Sequence, residues 1–282
     1  MSINKYTWTE EKIEKFYKAG RGSGELNHYI PWIKTNEIPS NGRVHRPLGW
    51  KTNRIHHLFS DLELSYFYYL EWSHKVIDVR EQFPLKRERT MQIASEKGIK
   101  HPFENKTQTN IVMTTDFLIT TRINNEIVHL ARSIKPSSEL EETRVLEKLE
   151  LERQYWADND IEWCLIDEKV MSKPFVSNMD YIHEYYYLKE KDEETISLYF
   201  LEYLANAKRL SPQHLLVTCC NEFDSLYNLE NGSGIYYLRH LFAKQYILAV
   251  NMENPIQPFK INLTEIIINK GGINSIYDNS IS

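Results

Sequence analysis

Asp116 and Lys135 stand in two stretches rich in Val, Ile, Thr and Phe, Ile111–Thr121 and Ile127–Lys135, separated by Asn124–Asn125. Asparagine tolerates positive φ, so an Asn-Asn pair between two such runs predicts a tight hairpin turn. With a two-residue turn there, the numbers of opposed residues sum to 249, which sets Asp116 opposite Ser133 and Lys135 opposite Thr114. Opposed residues share a sheet face, as do residues two apart, so Asp116, Ser133 and Lys135 are expected on one face. Phe117, Ile119 and Ile134 are expected on the other, in apolar packing. An acid and a lysine among apolar strands need an explanation, because charges are seldom buried unpaired. One is a cross-strand ion pair. The other is metal-dependent hydrolysis of a phosphodiester, in which hard cations held by one or two carboxylates stabilise charge and a lysine orients the attacking water.

The second carboxylate would be Glu63. Ser60 and Glu63 also read as a capping box at the start of a helix over Asp61–Trp72, with Leu62, Tyr66, Tyr69 and Leu70 inward, so the same glutamate has a purely structural reading. After the helix come a short strand, Val76–Phe83, ended by Pro84, an irregular polar stretch, the hairpin, a charged helix over Glu139–Asp158 with Leu140, Leu146, Leu149 and Trp156 inward, and a last apolar strand, Ile161–Ile166. Glu150 and Glu152 read as the solvated face of that charged helix. The order helix, three strands, helix, strand predicts an α/β fold in residues 1–170, a mixed sheet flanked by helices. Residues 1–60 read as largely loop, broken by Gly20–Gly24, Pro31, Pro39 and Gly42.

A second, smaller and mainly helical domain is expected over 171–282, with helices at Asp180–Leu188, Glu193–Ala207, Pro212–Tyr227 and Tyr236–Lys244 and strands at Tyr246–Val250 and Leu263–Asn269. Helices followed by a hairpin suit a winged-helix-like domain and a helical bundle with a ribbon equally. That domain holds 9 Lys/Arg against 13 Asp/Glu, which speaks for docking a partner protein over gripping DNA.

The net charge of −5 excludes a molecule that is basic overall, so any nucleic-acid contact must be local. Residues 15–59 supply such a patch, with eight Lys/Arg against Glu25 and Glu37. Arg43, Arg46, Lys51 and Arg54 are the candidate DNA contacts, braced by Trp32 and Trp50. His56 and His57 lack a second pair at zinc-ligand spacing. Cys164, Cys219 and Cys220 read as reduced, buried residues; without a leader or an apolar run long enough to span a bilayer, a cytoplasmic protein is expected.

Longer strings carry a resemblance. Gly20-Arg21-Gly22-Ser23-Gly24, Tyr29-Ile30-Pro31-Trp32, Ser60-Asp61-Leu62-Glu63, the run Asp78 to Leu85, Gly98-Ile99-Lys100-His101-Pro102, Thr115-Asp116-Phe117, Lys135-Pro136 and the run Leu146 to Trp156 resemble, in order, the TnsA family of transposase endonucleases. The resemblance covers about residues 15–168. It implies a restriction-endonuclease-like core with Glu63, Asp116 and Lys135 as catalytic residues. It also implies Mg²⁺, or Mn²⁺ in its place, on Glu63, Asp116, the Ile134 carbonyl and Ser133, where the family carries Gln. It implies nicking of the 5′ strands at transposon ends, a TnsB-like transposase that cuts and joins the 3′ ends, and a TnsC-like AAA+ regulator. The alternatives on the same core are a stand-alone restriction or repair nuclease and a non-catalytic DNA-binding assembly subunit.

Overall fold

Asn124 and Asn125 both take left-handed backbone angles, φ 51° and 66°, the conformation of a two-residue hairpin turn. The turn joins β2 (Thr114–Ile123) to β3 (Glu126–Ile134), and the pairs Phe117–Arg132, Leu118–Ala131 and Ile119–Leu130 follow the register read from the sequence. These elements come from a computed structural model that describes residues 7–37, 42–190 and 192–269. The chain divides into two compact units, Met1–Met171 and Ser172–Ser282. Pro39 and the first five residues, on which part of the loop reading and the missing leader rest, lie outside the described residues.

In the first unit a four-stranded sheet runs in the order β1 (Val76–Pro84), β2, β3, β4 (Glu162–Ile166). The first three strands are antiparallel neighbours, and β4 lies parallel to β3. This is the mixed sheet of a restriction-endonuclease-like core. Helix α2 (Asp61–Trp72) has the expected bounds, but its buried stripe is Glu63, Phe67, Leu70 and Glu71, in place of Leu62, Tyr66 and Tyr69. Helix α4 (Thr143–Ala157) buries Leu149, Leu151, Glu152, Tyr155 and Trp156, whereas Leu146 is exposed.

Two helices lie where irregular chain was expected. Helix α1 (Glu10–Lys18), capped by Thr9, buries Ile13 and Phe16 against Trp8, Trp32 and Val112. Helix α3 (Arg87–Glu96) is polar on most of its surface but packs Ile93 and Ala94 against Leu118, Ala131, Leu151 and Trp156.

The second unit holds helices α5 (Lys173–Ile182), α6 (Asp192–Leu210), α7 (Leu216–Leu226) and α8 (Ser233–Ala243) and a two-stranded antiparallel ribbon, β5 (Ile247–Ala249) with β6 (Ile266–Ile268). It is a helical region closed by a ribbon. Cys219 and Cys220 are buried in α7, but Cys164 on β4 is exposed, a correction to its reading as a core residue. No helix among the described residues is long and apolar enough to cross a membrane.

Candidate active site

The sheet opens at Asp116. Between Glu81–Phe117 and Phe83–Thr115 the β1–β2 ladder skips Gln82 and Asp116, and Gln82 carries φ 48°, a left-handed angle more usual for glycine. Its carbonyl accepts from Trp32 N–H, and its side-chain oxygen accepts from Thr114 Oγ1, so the kink is tied on both sides. The kink also breaks the alternation of β2. Leu118 packs among α3 and α4 residues, and Thr115, three residues away, accepts a hydrogen bond from Trp156 Nε1 of the same helix α4. Strict alternation would put those two on opposite faces.

Asp116 is thereby freed to meet the end of β3. Its Oδ2 accepts from Ile134 N–H at 2.7 Å and lies 3.5 Å from Lys135 Nζ, which also donates to the Ile134 carbonyl at 3.0 Å. The Asp116 carboxylate raises the pKa of Lys135 above the ordinary lysine value, so the ammonium is held charged.

Glu63 enters from α2. It makes the structural contacts of a helix start: its backbone N–H donates to Ser60 Oγ, and its carboxylate accepts from Ser60 Oγ and from Phe59 N–H at 3.0 Å. Beyond those contacts it is 6% exposed and feels the charge of Asp116. Burial first and then Asp116 push its pKa up to about 8, against the pull of Phe59 N–H and Lys135.

Ser133 goes elsewhere than expected. Its hydroxyl donates to Glu152 and accepts from Trp163 Nε1 at 3.0 Å, so the oxygen expected to face a metal is engaged by α4 and β4. Glu152, expected on a solvated face, is 6% exposed. Burial and the neighbouring Asp116 raise its pKa to about 7, with Ser133 and Thr115 opposing. The site therefore gathers a third acid that the sequence reading passed over. Its signal was the spacing: Leu149, Glu152 and Trp156 fall on one stripe of the helix, and both neighbours were expected inward.

Three acids in electrostatic contact, two of them pushed toward neutrality by burial and repulsion, face one lysine. That is an excess of negative charge such as a divalent cation neutralises. Among the described residues no three His, Cys, Asp or Glu side chains are grouped closely enough to hold a metal by themselves. Mg²⁺ does not require that, since it is held by one or two carboxylates and keeps several waters. Asp116, Glu63 and the Ile134 carbonyl offer oxygens of the kind such a set needs, while Ser133 is turned onto Glu152.

Two comparisons with known proteins bear on this geometry. A family model described as TnsA-like endonuclease N terminal matches residues 73–168, and one described as TnsA endonuclease C terminal matches residues 171–252. The chain is 38% identical over 241 residues to the transposon Tn7 transposition protein TnsA of Escherichia coli, covering 86% of each chain. The chain belongs to the TnsA family. The first TnsA model spans Asp116, Lys135 and Glu152, while Glu63 lies ahead of its matched segment.

The basic segment is only partly available to DNA. Arg54 folds inward, its side chain 9% exposed, with its guanidinium on Glu81 and the Val79 carbonyl. Glu81 is fully buried and also takes His56 Nδ1 at 2.8 Å and His57 N–H, so this pair clamps the segment onto β1. Arg54 thus leaves the candidate DNA surface. Lys51 donates to the Ser73 carbonyl, Arg43 pairs with Asp61 while remaining 74% exposed, and Arg46 is exposed. Trp32 and Trp50 are buried, in keeping with a bracing role.

Proposed function

We propose that this TnsA-family chain is a Mg²⁺-dependent endonuclease subunit of a cut-and-paste transposase, nicking the 5′, non-transferred strands at the ends of its element. The observation that carries the reading is Asp116 at the end of β3, bonded to Ile134 N–H and 3.5 Å from Lys135 Nζ, with Glu63 and Glu152 buried within reach of its charge. Structural ion pairs rarely leave carboxylates in excess inside a fold, because each unmatched charge costs several kcal/mol, about 1.4 kcal/mol for every pKa unit displaced.

Asp116 and Glu63, with the Ile134 carbonyl, would hold the cation, and Glu152 is the further acid beside them. Bound there, Mg²⁺ (or Mn²⁺) offsets the charge of the scissile phosphate and of the leaving oxygen. The water oxygen gives up a proton to solvent and forms a bond to phosphorus as the phosphorus–oxygen bond to the leaving nucleotide breaks, and the leaving oxygen takes up a proton from solvent, so protons balance overall. Lys135 acts as a cation that orients the water and faces the phosphate; a lysine whose pKa is raised is a poor general base. Ser133 acts at one remove, holding Glu152 in place. Because Glu152 supplies a carboxylate beside Asp116, a serine at position 133 does not imply a lost activity.

The partners in this reading are transposon-end DNA, a TnsB-like transposase that cuts and joins the 3′ strands, and a TnsC-like AAA+ regulator. The acidic second unit is their docking surface; deleting residues 172–282 should abolish co-purification with a TnsB-like or TnsC-like partner. The test of the activity is cleavage of end DNA by the full chain, with and without the TnsB-like partner. Nicking that appears in Mg²⁺ and vanishes in chelator supports the proposal, and cleavage indifferent to chelator refutes it. Cleavage without any partner would favour a stand-alone nuclease.

A further inference from the structure

Helix α4 carries two cations ahead of Glu152. Arg144, Lys148 and Glu152 follow one another at intervals of four, so they lie along one side of the helix, about 6 Å apart along its axis. The hydrogen bond from Ser133 fixes Glu152 level with the end of β3. Because β4 follows α4 and lies parallel to β3, the helix must run back against β3. Residues ahead of Glu152 therefore extend beyond the end of β3, where Asp116 and Lys135 stand. Lys148 and Arg144 sit about 6 and 12 Å further out along the axis.

There they line a cavity of about 330 Å³ with Lys100, Phe103, Asn105 and Ile111. Three of its seven lining residues are cationic and none is acidic. Lys100 Nζ stands 4.2 Å from the Phe103 ring centre, and Arg144 is steadied by Glu147 at 2.6 Å. Lys148 is exposed and has no hydrogen bond or ion pair among the described residues. The cavity thus presents one uncommitted cation and two braced ones. This contrasts with the segment around Arg54, whose guanidinium is spent on Glu81.

We propose that Lys100, Arg144 and Lys148 bind backbone phosphates of the DNA strand next to the phosphate that is cut. The proposal rests on the endonuclease reading of the neighbouring acids. Its ligand is the phosphodiester backbone, recognised by charge and without regard to base sequence, so the contact positions the strand and does not select it. A row of cations leading outward from a cluster of acids also separates two tasks. The acids hold the cation of the reaction, and the row holds the polyanion that the acids by themselves would repel.

The test uses the full chain and a labelled duplex carrying an element end, in chelator so that no cutting occurs. Binding is followed by fluorescence anisotropy over a range of salt for wild type, the triple variant Lys100→Ala/Arg144→Ala/Lys148→Ala, and Lys148→Glu alone. Removing one cation from a DNA phosphate should flatten the plot of log affinity against log salt by about 0.9. The triple variant should therefore lose roughly two to three in slope and at least about tenfold in affinity at low salt, with Lys148→Glu changed in the same direction. Tryptophan fluorescence of the variants should match wild type, showing that they fold. Equal affinity and slope in all three proteins, including the case in which none binds, would overturn the proposal. Unchanged DNA binding with a loss of partner-dependent nicking would overturn it in favour of an acidic protein segment as the occupant. Asp116→Ala, run alongside, separates the two readings: it should bind the duplex like wild type and fail to nick it. If it nicks normally while the triple variant binds poorly, the active-site assignment fails and the phosphate site stands.

Discussion

Replacing Glu63 or Glu152 by Gln should make the first unit more stable at neutral pH while removing its activity. Both carboxyls have folded pKa values above the ordinary 4.5, about 8 and about 7, because burial and Asp116 oppose their charge. The unfolded chain ionises freely above 4.5, so unfolding is favoured increasingly as pH rises from there. The stabilising contribution of the protonated forms is fully present below pH 4.5 and is lost as pH climbs through 7 to 8. At pH 7.5 the penalty is on the order of 2–4 kcal/mol for Glu63, and somewhat less for Glu152, at about 1.4 kcal/mol per pKa unit. A Gln side chain does not ionise, so each variant should recover up to that amount near neutrality and almost nothing near pH 4.5. Gln keeps one oxygen for Phe59 N–H, and its amide N–H can donate to Ser60 Oγ, so Glu63→Gln should keep its start to α2. All six tryptophans, Trp8, Trp32, Trp50, Trp72, Trp156 and Trp163, belong to the first unit, so urea unfolding followed by tryptophan fluorescence reports that unit alone. Measured in chelator at two pH values, the gain should be large at pH 7.5 and vanish at low pH. A Gln variant that loses stability at pH 7.5, or whose gain is the same at both, would refute the electrostatic account of the site.

Three further predictions concern the scaffold and the product. Gln82→Gly should keep Mg²⁺-dependent nicking, because glycine accepts φ 48°, whereas Gln82→Val should straighten β1 opposite Asp116 and lower nicking at least tenfold; equal activity in the two would mean that the kink does not position Asp116. Glu81→Gln should destabilise the first unit by about 3–5 kcal/mol by leaving Arg54 buried without its counter-charge, read from the same fluorescence transition. Burial raises the pKa of Glu81, but His56 and Arg54 outweigh it and hold it well below 4.5, so its contribution is present above that value and is lost as pH falls below it; wild type and Glu81→Gln should converge in stability in acid, and an undiminished difference there would sink this assignment. Lys135→Ala should leave 3′ joining intact but block the 5′ nick, shifting long-read insertion products toward cointegrates, and a wild-type product mixture would return Lys135 to a structural role.

Much of the site was legible because its parts obey local rules. Asn124–Asn125 dictate a left-handed turn, the turn dictates the register, and the register brings Asp116 to the end of β3 beside Lys135. What escaped the sequence depends on tertiary contacts. The left-handed angle at Gln82 has no sequence signal, since glutamine is an ordinary strand residue, yet it stands at the gap in pairing opposite Asp116. Ser133 follows the alternation of its strand and so meets α4 and not the metal position. Glu152 looked solvated because its helix is charged, although its place between Leu149 and Trp156 put it on the buried stripe. Helix α3 was missed for the opposite reason: Arg-Glu-Arg-Thr-Met-Gln is good helix-forming sequence with too few apolar residues to show a period. Arg54 was grouped with its basic neighbours because nothing local shows that Glu81, on β1, claims it.

The measurement that bears most directly on the central claim is strand-resolved cleavage of transposon-end DNA by wild type and Asp116→Ala, each with a TnsB-like partner and each in Mg²⁺ and in chelator. Losing Asp116 leaves the buried Ile134 N–H without its acceptor, a stability cost of about 1–3 kcal/mol, so the folding of Asp116→Ala is checked by tryptophan fluorescence. Wild type should nick the 5′ strand only in Mg²⁺, and Asp116→Ala should leave that strand intact while the 3′ strand is cut as before. A folded Asp116→Ala protein that still nicks the 5′ strand would contradict the account.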